Sequence, residues 1–221
     1  MRESDMRNSF LKKSSDESAK PIPTKSKKLL NRELILNAAK KVFAEIGFEN
    51  CTIRDIVRES GLSPGTFYNN FKDKESIFKL LTENLMHEVR VKTGEAKKKS
   101  RSGLSFIKDA YKAYLEVFAK DPSLLKIVAR NQVMFRTSVM EGSQLKGLLY
   151  DLESSLKWAM EKNLIPVVDV ELVSLSMAGA GFEMLAKLSR NPDYSVDELA
   201  EFLATLFLGG IKNLSKKESS R

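Results

Sequence analysis

Residues 52–71, T-I-R-D-I-V-R-E-S-G-L-S-P-G-T-F-Y-N-N-F, predict two short helices joined by a tight turn. Thr52 is a good N-cap for the first helix, and Gly61 can adopt the left-handed conformation that ends it. Ser63 is a second N-cap, and Pro64 suits the first position of the second helix because its missing N–H costs nothing there. This order of caps and breakers is typical of a helix-turn-helix.

The second of these helices has two chemically different sides. Phe67 and Phe71 are four residues apart, so both face inward and anchor the helix on the first one. The outward side suits a helix lying in the major groove of DNA, with its first amides able to hold phosphate. A purely structural corner in a helical core is the alternative, since the pattern has false positives. The outward residues are Ser63, Gly65, Thr66, Tyr68, Asn69 and Asn70.

The flanking sequence adds a helix on each side of this motif. Apolar residues follow a helical stripe through residues 32–46, which Gly47 can end as a C-cap. On the other side, Asp73 can cap a further helix with an apolar side of its own. That side consists of Ile77, Phe78, Leu81 and Leu85.

Residues 32–81 closely resemble the N-terminal DNA-binding domain of the TetR/AcrR family of transcriptional regulators. The resemblance lies in I-L-N-A-A-K-K-V-F-A-E-I-G-F, in the stretch 52–71, and in K-D-K-E-S-I-F-K-L-L. It implies a three-helix DNA-binding domain, a larger helical effector domain and a homodimer. We therefore expect residues 29–75 to form the helix-turn-helix domain and residues 76–215 the ligand-binding and dimerisation domain.

The resemblance also implies which residues contact DNA. Thr52 and Arg54 occupy positions that contact phosphate or backbone, and Lys74 occupies a phosphate-contacting position. Many members of the family carry His or Tyr where this chain has Asn70, which leaves Asn70 only a possible contact. The recognition-helix contacts are Ser63, Gly65, Thr66, Tyr68 and Asn69.

The formal charge of +8 lies mostly at the two ends of the 221-residue chain. Residues 1–28 contain 8 basic and 4 acidic side chains, and residues 212–221 contain 4 and 1. Residues 29–75 contain 7 of each, so DNA affinity in this domain depends on where the charges are placed. We expect residues 1–28 to be a disordered basic arm and residues 216–221 a basic tail, because both have few large apolar side chains.

Several classes of protein find no support in the sequence. There is no signal-peptide core and no run of 18 apolar residues, so we expect a cytoplasmic protein with no membrane partner. Cys51 is the only cysteine, which excludes an internal disulfide or a cysteine-cluster metal site. It is either a small packed residue or, near a helix N-terminus, a reactive thiol. Because no catalytic motif is recognisable, we expect no enzyme activity, cofactor or metal.

The remainder of the chain predicts an all-α fold. Apolar residues recur at spacings of three and four near residues 104–120, 122–138, 143–162, 169–190 and 196–214. The last two of these helices each show a narrow apolar stripe, which could pack within the subunit. The resemblance instead implies that they pair across a twofold axis. The predicted dimer residues are Leu172, Leu175, Gly179, Phe182, Ala186, Val196, Leu199, Leu203, Leu206 and Gly210.

An effector pocket among the middle helices is also implied by the resemblance. Aromatic and methionine side chains with a few polar groups suit an apolar ligand with a polar head, although any single one of them is more often a core residue. The predicted ligand residues are Met86, Tyr111, Tyr114, Phe118, Arg130, Asn131, Met134 and Trp158.

The resulting hypothesis is a repressor that binds a palindromic double-stranded DNA operator as a homodimer and is released by a small hydrophobic effector. A helical dimeric scaffold whose helix-turn-helix is only structural is the rival. Salt-dependent, sequence-selective binding to a palindrome distinguishes the two. An activator in place of a repressor is a further alternative.

Overall fold

The computed structural model describes residues 24–134, 143–191 and 193–218, and every regular element in those ranges is an α-helix, as predicted. None of these helices combines the length and the hydropathy that a membrane span requires. The helices are α1 (Thr24–Ile46), α2 (Ile53–Ser60), α3 (Pro64–Tyr68), α4 (Lys74–Lys99), α5 (Gly103–Ala119), α6 (Pro122–Arg130), α7 (Ser143–Glu161), α8 (Val170–Arg190) and α9 (Val196–Glu218).

Both predicted tails are shorter than expected at the ends that adjoin the fold. Helix α1 begins at Thr24 and α9 runs to Glu218, so residues 24–28 and 216–218 are helical. Residues 24–31 contain no Gly or Pro and are rich in Lys and Leu, which favour helix. No apolar stripe marks this extension, because Leu29 and Leu30 are exposed. The rest of the predicted arm and tail lies outside the described residues.

One buried cluster joins the three N-terminal helices to the helices that follow them. It contains Phe43 of α1, Ile56 of α2, Phe67 of α3 and Phe78 of α4, together with residues of α5, α6 and α8. The predicted domain boundary between residues 75 and 76 therefore falls within α4 and within a continuous core. The N-terminal helices and the larger helical part share their packing.

A second buried cluster lies in the larger helical part. It is built around Ile107 of α5, Leu156 of α7, Met177 of α8 and Leu203 of α9. Helix α5 is central, because it packs against α4 on one side and α9 on the other. Two ion pairs at the surface add to the α5–α9 contact, Lys112 to Asp197 at 2.7 Å and Lys108 to Glu201 at 2.5 Å.

Two glycines of this fold should respond oppositely to replacement by alanine. Gly61 has φ +67°, so Gly61→Ala should lower the free energy of unfolding by about 1–2 kcal/mol through left-handed strain. Gly94 lies inside α4, and a Cβ added there would meet nothing within 4 Å, so Gly94→Ala should raise it by about 0.5–1 kcal/mol. Urea denaturation at one fixed protein concentration measures both changes. Equal effects of the two substitutions would contradict this assignment of the two backbone conformations.

Candidate functional site

The α2–α3 corner is closed by the caps that its sequence predicts. The Thr52 hydroxyl accepts a hydrogen bond from the Asp55 N–H, and the Asp55 carboxylate accepts one from the Thr52 N–H at 3.0 Å. Hydrogen bonds from the Thr52 hydroxyl and then from its N–H lower the pKa of the Asp55 carboxyl. Gly61 ends α2 in the left-handed conformation. Both predicted caps of α2 are confirmed.

Helix α3 is short and held from both ends. Ser63 is its N-cap, with Oγ accepting from the Thr66 N–H at 3.2 Å, and Pro64 occupies its first turn. Phe67 is fully buried and Phe71 is buried just beyond the helix, so the two predicted anchors face inward. The opposite side of the helix is therefore presented to solvent in a fixed orientation.

The side chains predicted to contact DNA mostly lie at the surface. Tyr68 is 59% exposed, although its ring also contacts Phe67 edge-on at 5.4 Å. Thr66 is half-buried, and its hydroxyl lies 2.9 Å from that of Ser63. Lys72, just after α3, is exposed as well, and its charge beside the helix is a signal that the predicted set does not include. The exposed members of the predicted set are Thr52, Arg54, Ser63, Gly65, Tyr68 and Asn69.

Asn70 differs from its neighbours because its side chain is turned back onto α3. Its Nδ2 donates to the Thr66 carbonyl at 2.8 Å, and its buried Oδ1 has no hydrogen-bond partner among the described residues. Arg32 of α1 donates to the Asn70 carbonyl at 3.1 Å, and its guanidinium lies 4.4 Å from the centre of the Phe71 ring. Arg32 therefore fixes the end of α3 against α1.

Lys74 is half-buried and engaged within the chain. Its ammonium donates to the carbonyls of Phe48 at 2.8 Å, Cys51 at 2.9 Å and Glu49 at 3.4 Å, and lies 4.5 Å from the centre of the Phe48 ring. The side chain thus ties the start of α4 to the α1–α2 corner, residues 47–52. Because its three N–H groups already have these partners, the expected phosphate contact stays a prediction.

Cys51 is a packed residue of this corner. Its side chain is buried, and burial raises the pKa of the thiol to about 11, against a smaller lowering by Lys74. The thiol is therefore protonated at neutral pH, which disfavours the reactive alternative.

A cavity of about 600 Å³ lies between α4, α5, α7 and α8. Met86, Tyr111 and Tyr114 of the predicted ligand set line it. The Tyr111 hydroxyl donates to the Met177 carbonyl at 2.9 Å, and burial raises the pKa of both tyrosines. A Cβ on Gly181 would lie 3.2 Å from a ring carbon of Tyr111, so the absence of a side chain there leaves room for the ring.

The other five predicted ligand residues do not line this cavity. Phe118 lies in the core, Arg130 is exposed, and Met134 packs against the first buried cluster. Trp158 contacts Phe106 at 6.1 Å. Asn131 is buried against α1. Of the four middle helices that the resemblance indicated, α4, α5 and α7 line the cavity and α6 does not. Composition does not distinguish a side chain facing a cavity from one facing the core.

Three basic side chains on α4 line the cavity and were absent from the predicted set. They are His87, Arg90 and Lys97, spaced so that they share one face of the helix. Arg90 also pairs with Asp151 of α7. Their spacing is the sequence signal that could have identified them, and it places positive charge beside an otherwise largely apolar space.

The predicted dimer stripes are divided between the surface and the subunit's own core. Leu172, Leu175 and Leu206 are exposed, at 64%, 48% and 56%, and the positions that a Cβ would take on Gly179 and Gly210 lie in open space. The other predicted positions are buried or partly buried within the subunit: Phe182, Ala186, Val196, Leu199 and Leu203.

The split has a physical reason. Helix α8 packs against α6 as well as α7, and α9 has apolar residues on two adjacent sides, so one stripe chosen by spacing includes both. The outward side of α9 also contains Phe202 and Leu214, at 58% and 55% exposure, which the stripe leaves out.

Comparison with known proteins places the match on the same N-terminal residues. The sequence profile of the tetR family of bacterial regulatory proteins matches residues 35–81. An uncharacterised HTH-type transcriptional regulator, YhgD, of Bacillus subtilis (strain 168) is 28% identical over 151 residues, which are 66% of this chain and 78% of that protein.

Solved structures extend the likeness to the larger helical part. The fatty acid degradation regulator FadR from Bacillus halodurans is 22% identical, with a TM-score of 0.70 over 82% of this chain and 96% of that one. The transcriptional regulator FadR from Bacillus subtilis, solved in complex with stearoyl-CoA, is 24% identical, with a TM-score of 0.70 over 81% and 98%. At these identities the likeness is one of fold.

Proposed function

We propose that this chain is a transcriptional regulator of the tetR family and not an enzyme. It represses transcription as a homodimer on a palindromic operator. An apolar effector with an anionic head releases it from the operator. The observation that carries the proposal is the presentation of α3. Its Phe67 is buried and its Tyr68 is exposed, within the residues that match the family.

The predicted DNA-contact residues from Thr52 to Asn69, here called the reader surface, have the chemistry for contacts with both bases and phosphates. Gly65 allows close approach, while Tyr68 and Asn69 can reach base edges in the major groove. Thr52 and Arg54 lie at the start of α2, where an N–H-rich helix end and a guanidinium suit phosphate. Since the charges of residues 29–75 balance, we expect selectivity to come from the placement of these groups.

Homodimerisation is supported by the exposed apolar sides of α8 and α9. Leu172, Leu175, Phe202, Leu206 and Leu214 are all about half exposed or more, and large apolar groups of this kind mark interaction sites in soluble proteins. A second copy of the chain fits because a twofold interface places equivalent surfaces together. To read successive major-groove faces, the dimer must hold its two copies of α3 about 34 Å apart.

The cavity supports an amphiphilic effector. Aromatic and methionine side chains such as Met86, Tyr114 and Phe182 can contact an apolar chain, and the cations of α4 can contact an anionic head. The Bacillus subtilis FadR with the same fold was solved with stearoyl-CoA. We therefore propose a long-chain fatty acyl-CoA as the effector.

Release follows from a shift between two conformations. Helix α4 extends from Lys74 at the corner to Arg90 and Lys97 at the cavity. A ligand that favours one position of α4 therefore changes the distance between the two copies of α3 in the dimer. A ligand with equal affinity for both conformations would shift nothing.

Tyr68→Ala should weaken binding to the operator at least about fivefold, because it removes a base-edge or phosphate contact worth about 1–3 kcal/mol. The operator is first obtained by selection from random DNA, and affinity is then measured by mobility shift at fixed salt. Tyr194→Ala, at another exposed tyrosine, is the matched control and should bind normally. Unchanged binding by Tyr68→Ala would exclude the reader surface, and failure to select any palindrome would favour the scaffold.

Leu206→Glu should convert the dimer to monomer, because two carboxylates would be buried near the twofold axis. Sedimentation velocity measures the change. Leu34→Glu places the same charge at an exposed leucine of α1 and should leave the dimer intact. A dimer that survives Leu206→Glu would place the interface elsewhere.

Stearoyl-CoA should release the operator. Lys97→Met should weaken the binding of stearoyl-CoA at least about threefold because it removes a positive charge, and this effect should become smaller as the salt concentration rises. Titration followed by the intrinsic fluorescence of Trp158 measures affinity. Lys157→Met removes an exposed charge outside the cavity lining and serves as the control. Equal losses in the two variants would show that the head does not lie at Lys97.

A further inference from the structure

Both ends of helix α6 make polar contacts with α1. Its N-cap, Asp121, accepts from the Ser123 N–H at 2.9 Å and from the ammonium of Lys40 on α1 at 2.6 Å. Its C-cap, Asn131, donates to the Phe43 carbonyl, three residues further along α1. A helix of nine residues held by a polar contact at each cap has little freedom to slide or turn independently of α1.

Asn131 makes the more complete of the two contacts. The side chain is 6% exposed, and its Nδ2 donates to the carbonyls of Ile127 at 2.8 Å and Phe43 at 3.3 Å. Its Oδ1 accepts from the N–H of Phe48 in the α1–α2 corner. In water-poor surroundings each of these partners would lose more from being left unpaired than an exposed group would.

The backbone of Phe48 is also held by α4. Lys74 binds its carbonyl, while Asn131 binds its N–H. The Phe48 ring lies 5.1 Å from that of Phe78 on α4 and 5.4 Å from that of Phe43 on α1. Because Thr52 begins α2 only four residues later, a displacement of Phe48 is passed on to the helix-turn-helix.

Helix α6 is also connected to the wall of the cavity. It packs against α8, and Phe182 of α8 belongs to the same buried cluster as Leu124 and Ile127 of α6. Phe182 and its neighbours Ala178 and Gly181 line the cavity. A molecule that moves this part of α8 must therefore move α6 or open a gap in a close-packed core.

We propose that Asn131 is a positioning residue through which α6 transmits occupancy of the cavity to the α1–α2 corner. This role rests on the proposed function, since it assumes that the cavity controls the reader. It differs from transmission along α4, because the contact joins α6 to the Phe48 N–H and passes around Lys74. Removing Asn131 takes away the direct contact between α6 and the Phe48 N–H, so a shift of α6 would displace the corner less.

The test replaces the effector by a side chain, so that it needs neither DNA nor an identified ligand. Ala178→Phe places an aromatic ring in the cavity. Amide hydrogen exchange is then measured by NMR at residues 56–60 of α2, with Asn131 present and in Asn131→Ala. Ser174→Ala, which removes another buried polar side chain bonded within its own helix, is the control for a general loss of stability.

We expect Ala178→Phe to change the amide exchange rates of α2 at least threefold in the native background and in Ser174→Ala. In the Asn131→Ala background the change should be less than 1.5-fold. The Phe48 amide itself should exchange at least tenfold faster in Asn131→Ala. Equal responses of α2 in all three backgrounds, or no response in the native one, would overturn the proposal.

A second variant keeps the test decisive if Asn131→Ala does not fold. Lys40→Met removes the contact at the other end of α6 and should reduce the response of α2 by half or more; an undiminished response would again overturn the proposal. Failure to select an operator would contradict the proposed function but not the role of Asn131, because these exchange measurements use no DNA.

Discussion

Contact among three aromatic rings is the constraint on which the arrangement of the molecule depends. Phe43 of α1, Phe48 of the corner and Phe78 of α4 lie 5.1–5.6 Å apart in pairs, in tilted or edge-to-face orientations that favour such rings. They join the packing of the N-terminal helices to that of α4. Helices α1, α2 and α3 therefore take their orientation from α4 and cannot be described as a module on a flexible linker.

The sequence predicted well whatever is decided locally. The caps at Thr52, Gly61 and Ser63 follow from backbone chemistry within three or four residues, and the structure has all of them. Asn131 could not be assigned in the same way, because its partners Phe43 and Phe48 are more than 80 residues away along the chain. A polar residue between apolar helices suggests a ligand contact, whereas here it joins two helices.

The same limit explains the dimer stripes and the cavity. Spacing tells which residues share a face of a helix, but a helix with two apolar sides needs its neighbours to show which side is covered. Leu203 and Leu206 lie one step apart in the stripe, yet one is buried and the other is exposed. In α4 the basic residues at 87, 90 and 97 were readable by spacing, but only the position of α7 and α8 shows that they border a cavity.

Gly181 has a consequence for how such a protein can diversify. A methyl group there would crowd the Tyr111 ring at 3.2 Å and lie in ordinary contact with Tyr114 at 3.6 Å. Because all three residues line the cavity, a change in one codon would reduce its capacity. The residues proposed to contact the operator lie on other helices and would be untouched. Under the proposed function, selection would thus alter the size of the effector while the operator stays the same.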